Sequence, residues 1–210
     1  SSEYIEMNEL LLWAIDATSR NRIAEVLIVD NEQAVVTYNI TSENPIGELL
    51  PPNDKDRLVI SKLENIKIEK GNLYLGYKKW PSEQLGIDYQ DGRIIDEITE
   101  EYLSKDGKDF SEDTEVFSDL LKRGLHPRPG FKYGTEWRCY DKKIGIDHAP
   151  WLVVSPSNKI MTWGSACLAS RLASGVNKTW LRPLKIDGMW KYLGIIRPPA
   201  NSRWTNPIKK

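Results

Sequence analysis

Only two cysteines and two histidines occur in the 210 residues. Cys139 and Cys167 form neither a disulfide framework nor a metal-ligand spacing, which argues against a stapled secreted domain and a zinc module. No carboxylate cluster surrounds His126 or His148, so the sequence suggests no metal site and no cofactor. No run approaches the ~18 apolar residues of a membrane span, and no signal peptide opens the chain. The expected setting is the reduced cytoplasm, or the nucleus in a eukaryote, with no membrane partner. Net charge is also nearly absent, at −1.

That small net charge conceals an uneven distribution. Residues 126–210 hold 15 Lys and Arg against 4 Asp and Glu, a net of +11, and the rest of the chain holds 14 against 26, a net of −12. A basic half suggests contact with a polyanion; two halves that neutralise each other when packed would give the same pattern. The 40% hydrophobic content is that of a globular chain with room for one large or two small domains.

Apolar periodicity predicts a helix over residues 7–16, with Leu10, Leu11, Ala14 and Ile15 on one face, then strands over 23–29 and 34–40. Residues 42–56 hold three prolines and a glycine and read as a linker. A hairpin is expected over 66–68 and 73–75, and helices over 93–104 and 114–123, the second stopped by Gly124. Residues 131–140 read as a strand with Tyr140 on its polar face, and residues 151–154 as a buried strand. A helix over 165–178 follows, its apolar stripe formed by Leu168, Leu172 and Val176. A hairpin over 180–186 and 190–196 then turns at Asp187-Gly188. The expected class is α/β (α+β): a small mixed sheet flanked by helices at residues 126–210, preceded by a small α+β domain at 49–125 and a helix–hairpin piece at 1–48.

Three blocks carry chemistry: FKYGTEWRCY ending in Tyr140, HAPWLVVS opening with His148, and RLASGVNKTWL containing Arg171 and Lys178. Two cations seven residues apart lie on one face of a helix, which by itself is an ordinary solvated face. Taken together and in order, the blocks resemble the C-terminal domain of the archaeal and eukaryotic tRNA-splicing endonucleases over roughly residues 116–200. The sequence departs from that pattern in a short interval between Tyr140 and His148 and in an unusual region upstream of residue 110.

The resemblance implies a metal-independent RNA endonuclease that cuts a bulge–helix–bulge at intron boundaries of precursor tRNA, leaving 2′,3′-cyclic phosphate and 5′-hydroxyl ends. Tyr140 would be the base, His148 the acid and Lys178 the electrostatic stabiliser. Arg171, with Arg197 as a second jaw, would clamp a bulged base, since guanidinium planes stack on unpaired bases. Each residue has a structural alternative. A tyrosine ordinarily titrates near 10 and needs nearby cations to act as a base, so Tyr140 could simply pack. His148 could be a strand-edge histidine, and Arg197 could pair with an acidic group. At the level of function, the alternatives are a non-catalytic structural subunit of the same assembly and a general RNA-binding module.

Residues 7–45 repeat the order helix, strand, acidic turn, strand, proline found at 165–199. Aligning Asp30 with Asp187 sets Leu11 on Leu168, Ala14 on Arg171 and Asn21 on Lys178, so the first copy would lack both functional cations. It then reads as the end of a degenerate repeat completed by a companion chain or a separate fragment, within a homo- or hetero-oligomer. In the resembled family an acidic loop of a structural repeat docks into a catalytic unit and terminal strands pair across a two-fold interface. Asp30 and Glu32 would be that loop, Tyr192 and Ile195 would lie on that strand, and Asp187 would join the interface.

Overall fold

The computed structural model describes residues 4–29, 32–77, 79–158 and 162–199. In chain order its elements are α1 (Met7–Ser19), β1 (Ala24–Val29), β2 (Val35–Glu43), α2 (Asp54–Ser61), β3 (Ile66–Ile68), β4 (Gly71–Leu75), β5 (Ile87–Tyr89), β6 (Gly92–Ile95), α3 (Glu97–Ser104), α4 (Glu112–Lys122), β7 (His126–Pro129), a 3-10 turn (Phe131–Tyr133), β8 (Trp137–Tyr140), β9 (Trp151–Val153), α5 (Trp163–Gly175), β10 (Thr179–Ile186) and β11 (Met189–Ile196). The class is mixed α+β, as the sequence pattern implies. Two compact units divide the chain: Ser1–Pro45 with Pro129–Arg138 and Ala149–Lys210, and Ile46–Arg128 with Cys139–His148. Among the described residues no helix is long and apolar enough to cross a membrane.

Seven strands form one sheet in the order β1-β2-β11-β10-β9-β8-β7, and the unit boundaries fall within β7 and β8. In the first unit, β10 pairs parallel with β9 and antiparallel with β11, and β11 pairs antiparallel with β2. Two helix–hairpin pieces therefore meet strand to strand, with Ile40 opposite Ile195 and Ser42 opposite Leu193. The core between helices and sheet holds Leu11, Ala14 and Ala17 of α1, Ala166 and Ala173 of α5, and Tyr38, Ile40, Trp180, Leu193 and Ile195 of the strands. Trp180 and Tyr38 fill much of the floor, so α5 turns its small side chains Ala166, Ser170 and Ala173 inward.

That orientation overturns the expected apolar stripe. Leu168, Leu172 and Val176 are 55%, 54% and 42% exposed. The helix is also shorter than expected, ending at Gly175 rather than residue 178. Asn177 then takes the left-handed conformation, with φ 54°, a state asparagine tolerates better than most residues. Lys178 thus lies just beyond the helix, and the argument that it shares a helical face with Arg171 does not apply.

The first hairpin copies this helix end. The Asn21 φ is also 54°. The Arg22 N–H donates to the Ala17 carbonyl at 2.8 Å, as the Lys178 N–H donates to the Ala173 carbonyl at 2.9 Å. The structural register is therefore one residue off the sequence alignment: Arg22, not Asn21, corresponds to Lys178, and Ile15, not Ala14, to Arg171. A cation survives in the first copy.

The second unit contains the sheet β3-β4-β6-β5 with helices α2, α3 and α4. Here several short elements were hidden in the sequence. Residues 93–104 are not one helix: β6 ends at Ile95, and Asp96 caps α3 by accepting from the Thr99 N–H at 2.8 Å. Gly92 is required in β6, because a Cβ there would lie 2.0 Å from the Tyr74 carbonyl oxygen. The expected linker over 42–56 is partly ordered structure, since β2 runs to Glu43 and an Asn53–Asp56 capping box starts α2. Helix α4 stops at Gly124 as expected, with φ 75° and the Leu125 N–H bonded back to the Leu120 carbonyl.

Two titrating groups make this unit acid-sensitive. Glu101 accepts hydrogen bonds from the Ser111 hydroxyl at 2.6 Å, Thr114 Oγ1 at 2.5 Å and Lys105 Nζ at 2.9 Å, which hold its carboxyl down at about 2. Its folded value lies below the ordinary 4.5, so its stabilisation is present above pH 4.5 and is lost as pH falls toward 2. Burial, followed by the cations of Arg128 and Arg93, lowers His126 to about 3 against a hydrogen bond with the Glu83 backbone. It stays neutral in the fold, and that stabilisation declines as pH falls from 6.5 toward 3. The urea midpoint should therefore drop below pH 6.5. Glu101→Gln should remove about 2 kcal/mol of the loss below pH 4.5, after allowance for solvent screening. A midpoint flat from pH 7 to 3 in the wild type would contradict both assignments.

Candidate functional site

Within the first unit, Lys178 sits where α5 hands over to β10. The Thr179 N–H donates to the Pro150 carbonyl at 2.9 Å and Thr179 pairs with Trp151, which fixes the backbone against the start of β9. The Lys178 ammonium donates to the Ala149 carbonyl and stands 5.9 Å from the centre of the Tyr133 ring. Ala149 directly follows His148 in the chain.

Arg171 and Arg197 also belong to this unit, and both bear on one buried group. The Tyr38 hydroxyl is pushed up to about 12, first by burial and then by the charge of Cys167 and a hydrogen bond with it, while Arg197 and Arg171 pull the other way. The two guanidinium groups thus act on a common neighbourhood, Arg171 from the exposed side of α5 and Arg197 from the end of β11. A cavity of about 170 Å³ lies along this edge, lined by Ser170, Asn177, Lys178, Trp180, Ile195 and Arg197 among others. Ser170 Oγ, Trp180 Nε1 and Arg197 Nε are buried there without a hydrogen-bond partner among the described residues. The unanswered Ser170 and Trp180 groups beside the cations of Lys178 and Arg197 mark a place built for polar company.

Tyr140 and His148 belong to the second unit. Tyr140 ends β8 half-buried, its ring 6.5 Å from that of His126 in an edge-on arrangement. His148 is exposed, and its backbone N–H donates to Asp147 Oδ1 at 2.7 Å. Residues 131–140, expected as one strand, instead form the 3-10 turn Phe131–Tyr133, a left-handed Gly134 and then β8. This break turns Tyr133 toward the core of the first unit, against which it packs half-buried. Sequence reasoning missed Tyr133 and Tyr38. The Lys-Tyr-Gly of FKYG carried the only signal, a glycine able to stop a turn.

Among the remaining predicted residues, Asp187 and Gly188 both have positive φ, 50° and 75°, as a two-residue hairpin turn requires, and Asp187 is exposed. Tyr192 and Ile195 are fully buried and pair with Glu43 and Ile40 of the same chain, so the strand they occupy joins two parts of one polypeptide. Glu32 is an exposed turn residue, and Asp30 lies outside the described residues. Not all of the basic half is free for a polyanion: the Arg182 guanidinium donates to the Asn158 carbonyl and, at 3.2 Å, to that of Pro156, clamping a turn. Among the described residues, no three of His, Cys, Asp and Glu are grouped as metal ligands would be.

The family model for the catalytic C-terminal domain of tRNA intron endonucleases matches residues 110–185. The tRNA-splicing endonuclease of Thermoplasma volcanium is 33% identical over 148 residues, 68% of this chain and 49% of that protein. That of Methanococcoides burtonii is 28% identical over 197 residues, 91% of this chain and 51% of that protein. That of Saccharolobus islandicus is 32% identical over 134 residues, 63% of this chain and 69% of that protein. The chain spans about half the length of the Thermoplasma and Methanococcoides relatives.

Proposed function

The chain belongs to the tRNA-splicing endonuclease family, and on that premise we propose that it carries the nuclease centre of an enzyme that cuts precursor tRNA at intron boundaries. The observation that carries this reading is the fixed place of Lys178 within the first unit, its ammonium held by the Ala149 carbonyl inside the stretch that matches the catalytic-domain model.

In the proposed reaction the ribose 2′-oxygen attacks the adjacent phosphorus. Tyr140 takes the 2′-hydroxyl proton, a new 2′-oxygen–phosphorus bond forms, and the bond to the 5′-oxygen breaks as His148 delivers a proton to it. The products are a 2′,3′-cyclic phosphate and a 5′-hydroxyl, with no water consumed. Lys178 stabilises the extra negative charge on the phosphoryl oxygens in the transition state. Arg171 and Arg197 hold an unpaired base of a bulge–helix–bulge. The setting is the cytoplasm, or the nucleus in a eukaryote.

The domain reading follows the same lines. Residues 126–210 form the catalytic domain, 49–125 an accessory α+β domain, and 1–48 the end of a degenerate repeat. The matching helix ends at Asn21 and Asn177 support the last. Among the described residues, strand β1 ends the sheet order with β2 beside it, whereas β10 has both β11 and a parallel β9. A strand from another segment, in the same or a companion polypeptide, would take the corresponding place beside β1.

The test is cleavage of a bulge–helix–bulge RNA by the completed assembly in excess chelator, with the RNA kept folded by monovalent salt. Cleavage should persist within about twofold and yield only cyclic-phosphate and 5′-hydroxyl ends, because the proposed groups supply acid, base and charge themselves. Loss of chemistry with substrate still bound would reject this mechanism, and binding without cleavage in any buffer would favour a structural or RNA-binding role.

A further inference from the structure

We propose that Tyr133 is a positioning residue for Lys178, holding its ammonium in place before RNA arrives; the proposal rests on reading Lys178 as the electrostatic stabiliser. Both residues lie in the first unit. The aromatic face is negative, so a ring beneath an ammonium attracts it, most strongly where water is partly excluded. The ring centre is 5.9 Å from Lys178 Nζ.

The turn bearing Tyr133 is closed from several directions. Its N–H donates to the Gly130 carbonyl at 2.8 Å, and the Gly130 N–H donates to the Glu136 carbonyl at 2.8 Å. A Cβ at Gly130 would come within 2.4 Å of Thr135 Oγ1 and 2.8 Å of the Thr135 carbonyl oxygen, so no other residue fits there without movement. Gly134, at φ 67°, ends the turn immediately after Tyr133. The ring also packs on the hydrophobic core. It is therefore a fixed surface rather than a side chain that must itself be ordered.

The lysine is also held at its ammonium by the Ala149 carbonyl and at its backbone by the Ala173 carbonyl. A flexible four-carbon stem loses freedom whenever its charge must occupy one place. Ring and carbonyl together impose that loss in the free protein, so it need not be imposed at the transition state. The ring has no chemical step of its own. Its aromatic face is what matters, and its hydroxyl is dispensable for this role.

A double-mutant cycle on the cleaving assembly tests the idea. Tyr133→Leu should slow single-turnover cleavage about tenfold while leaving the RNA dissociation constant within about twofold. Tyr133→Phe should stay within about twofold of wild type in both. In a Lys178→Ala background, Tyr133→Leu should cause no further loss, because the group it positions is gone. An equal tenfold loss in that background would mean a merely structural role and overturn the proposal, as would a wild-type rate for Tyr133→Leu. A wild-type rate for Lys178→Ala alone is a different result, which rejects the catalytic assignment of Lys178 itself.

Discussion

Replacing Lys178 by alanine should lower the single-turnover cleavage rate by about 10²–10³, with RNA affinity changed little. In the role proposed for it, the charge it answers develops fully only as the phosphorus becomes pentacoordinate, so its removal would raise the barrier without weakening ground-state binding. His148→Ala should cost about 10²–10⁴, the usual range for a positioned general acid. Arg171→Ala should behave differently. Its proposed work is holding an unpaired base, so both affinity and rate should suffer, more on bulged than on fully paired RNA. Single-turnover rates measured beside filter-binding constants separate these cases. If His148→Ala cleaves at the wild-type rate, the site has been misassigned.

The family was legible in the sequence because its motifs sit in short blocks whose order survives without structural detail. Backbone turns with strong local chemistry were legible too, such as Gly124 after α4 and Asp187-Gly188 between β10 and β11. The apolar stripe on α5 was not. Periodicity finds the Leu168–Leu172–Val176 line, yet it cannot tell that Trp180 and Tyr38 already fill the space below and leave room only for Ala166, Ser170 and Ala173. Residues 131–140 failed for another reason. Alternation in FKYGTEWRCY suits a strand, but the Gly130–Glu136 and Gly130–Tyr133 hydrogen bonds close a local turn first. Strands β5 and β6 are three and four residues long; they meet in a tight local hairpin at Gln90-Asp91, but β6 also pairs with the distant β4, a contact that a short window does not contain.

If residues 1–48 end an interrupted repeat, exchange of the outward-facing amides of β1 should slow by at least about 100-fold once a companion strand is supplied. The reason lies in the comparison of the two hairpins. In the second, Thr179, Trp180 and Leu181 pair parallel with Trp151, Leu152 and Val153. Their counterparts in the first, by the matched helix ends, are Ile23, Ala24 and Glu25, at the outer edge of the sheet. Ile23, Leu27 and Val29 are 79%, 56% and 58% exposed there, whereas Leu181 and Pro183, the counterparts of Glu25 and Leu27, are buried. A strand at the end of the sheet order with exposed apolar side chains favours pairing with another strand, wanted or not. The chain alone should therefore associate through β1 or lose solubility at high concentration, and Leu27→Lys should suppress that association without repairing cleavage. A companion segment carrying a strand like β9 should restore solubility, protect residues 23–25 and raise cleavage together. Protection of these amides in a soluble monomer that already cleaves at full rate would reject the completing strand, and with it the reading of residues 1–48 as the end of an interrupted repeat.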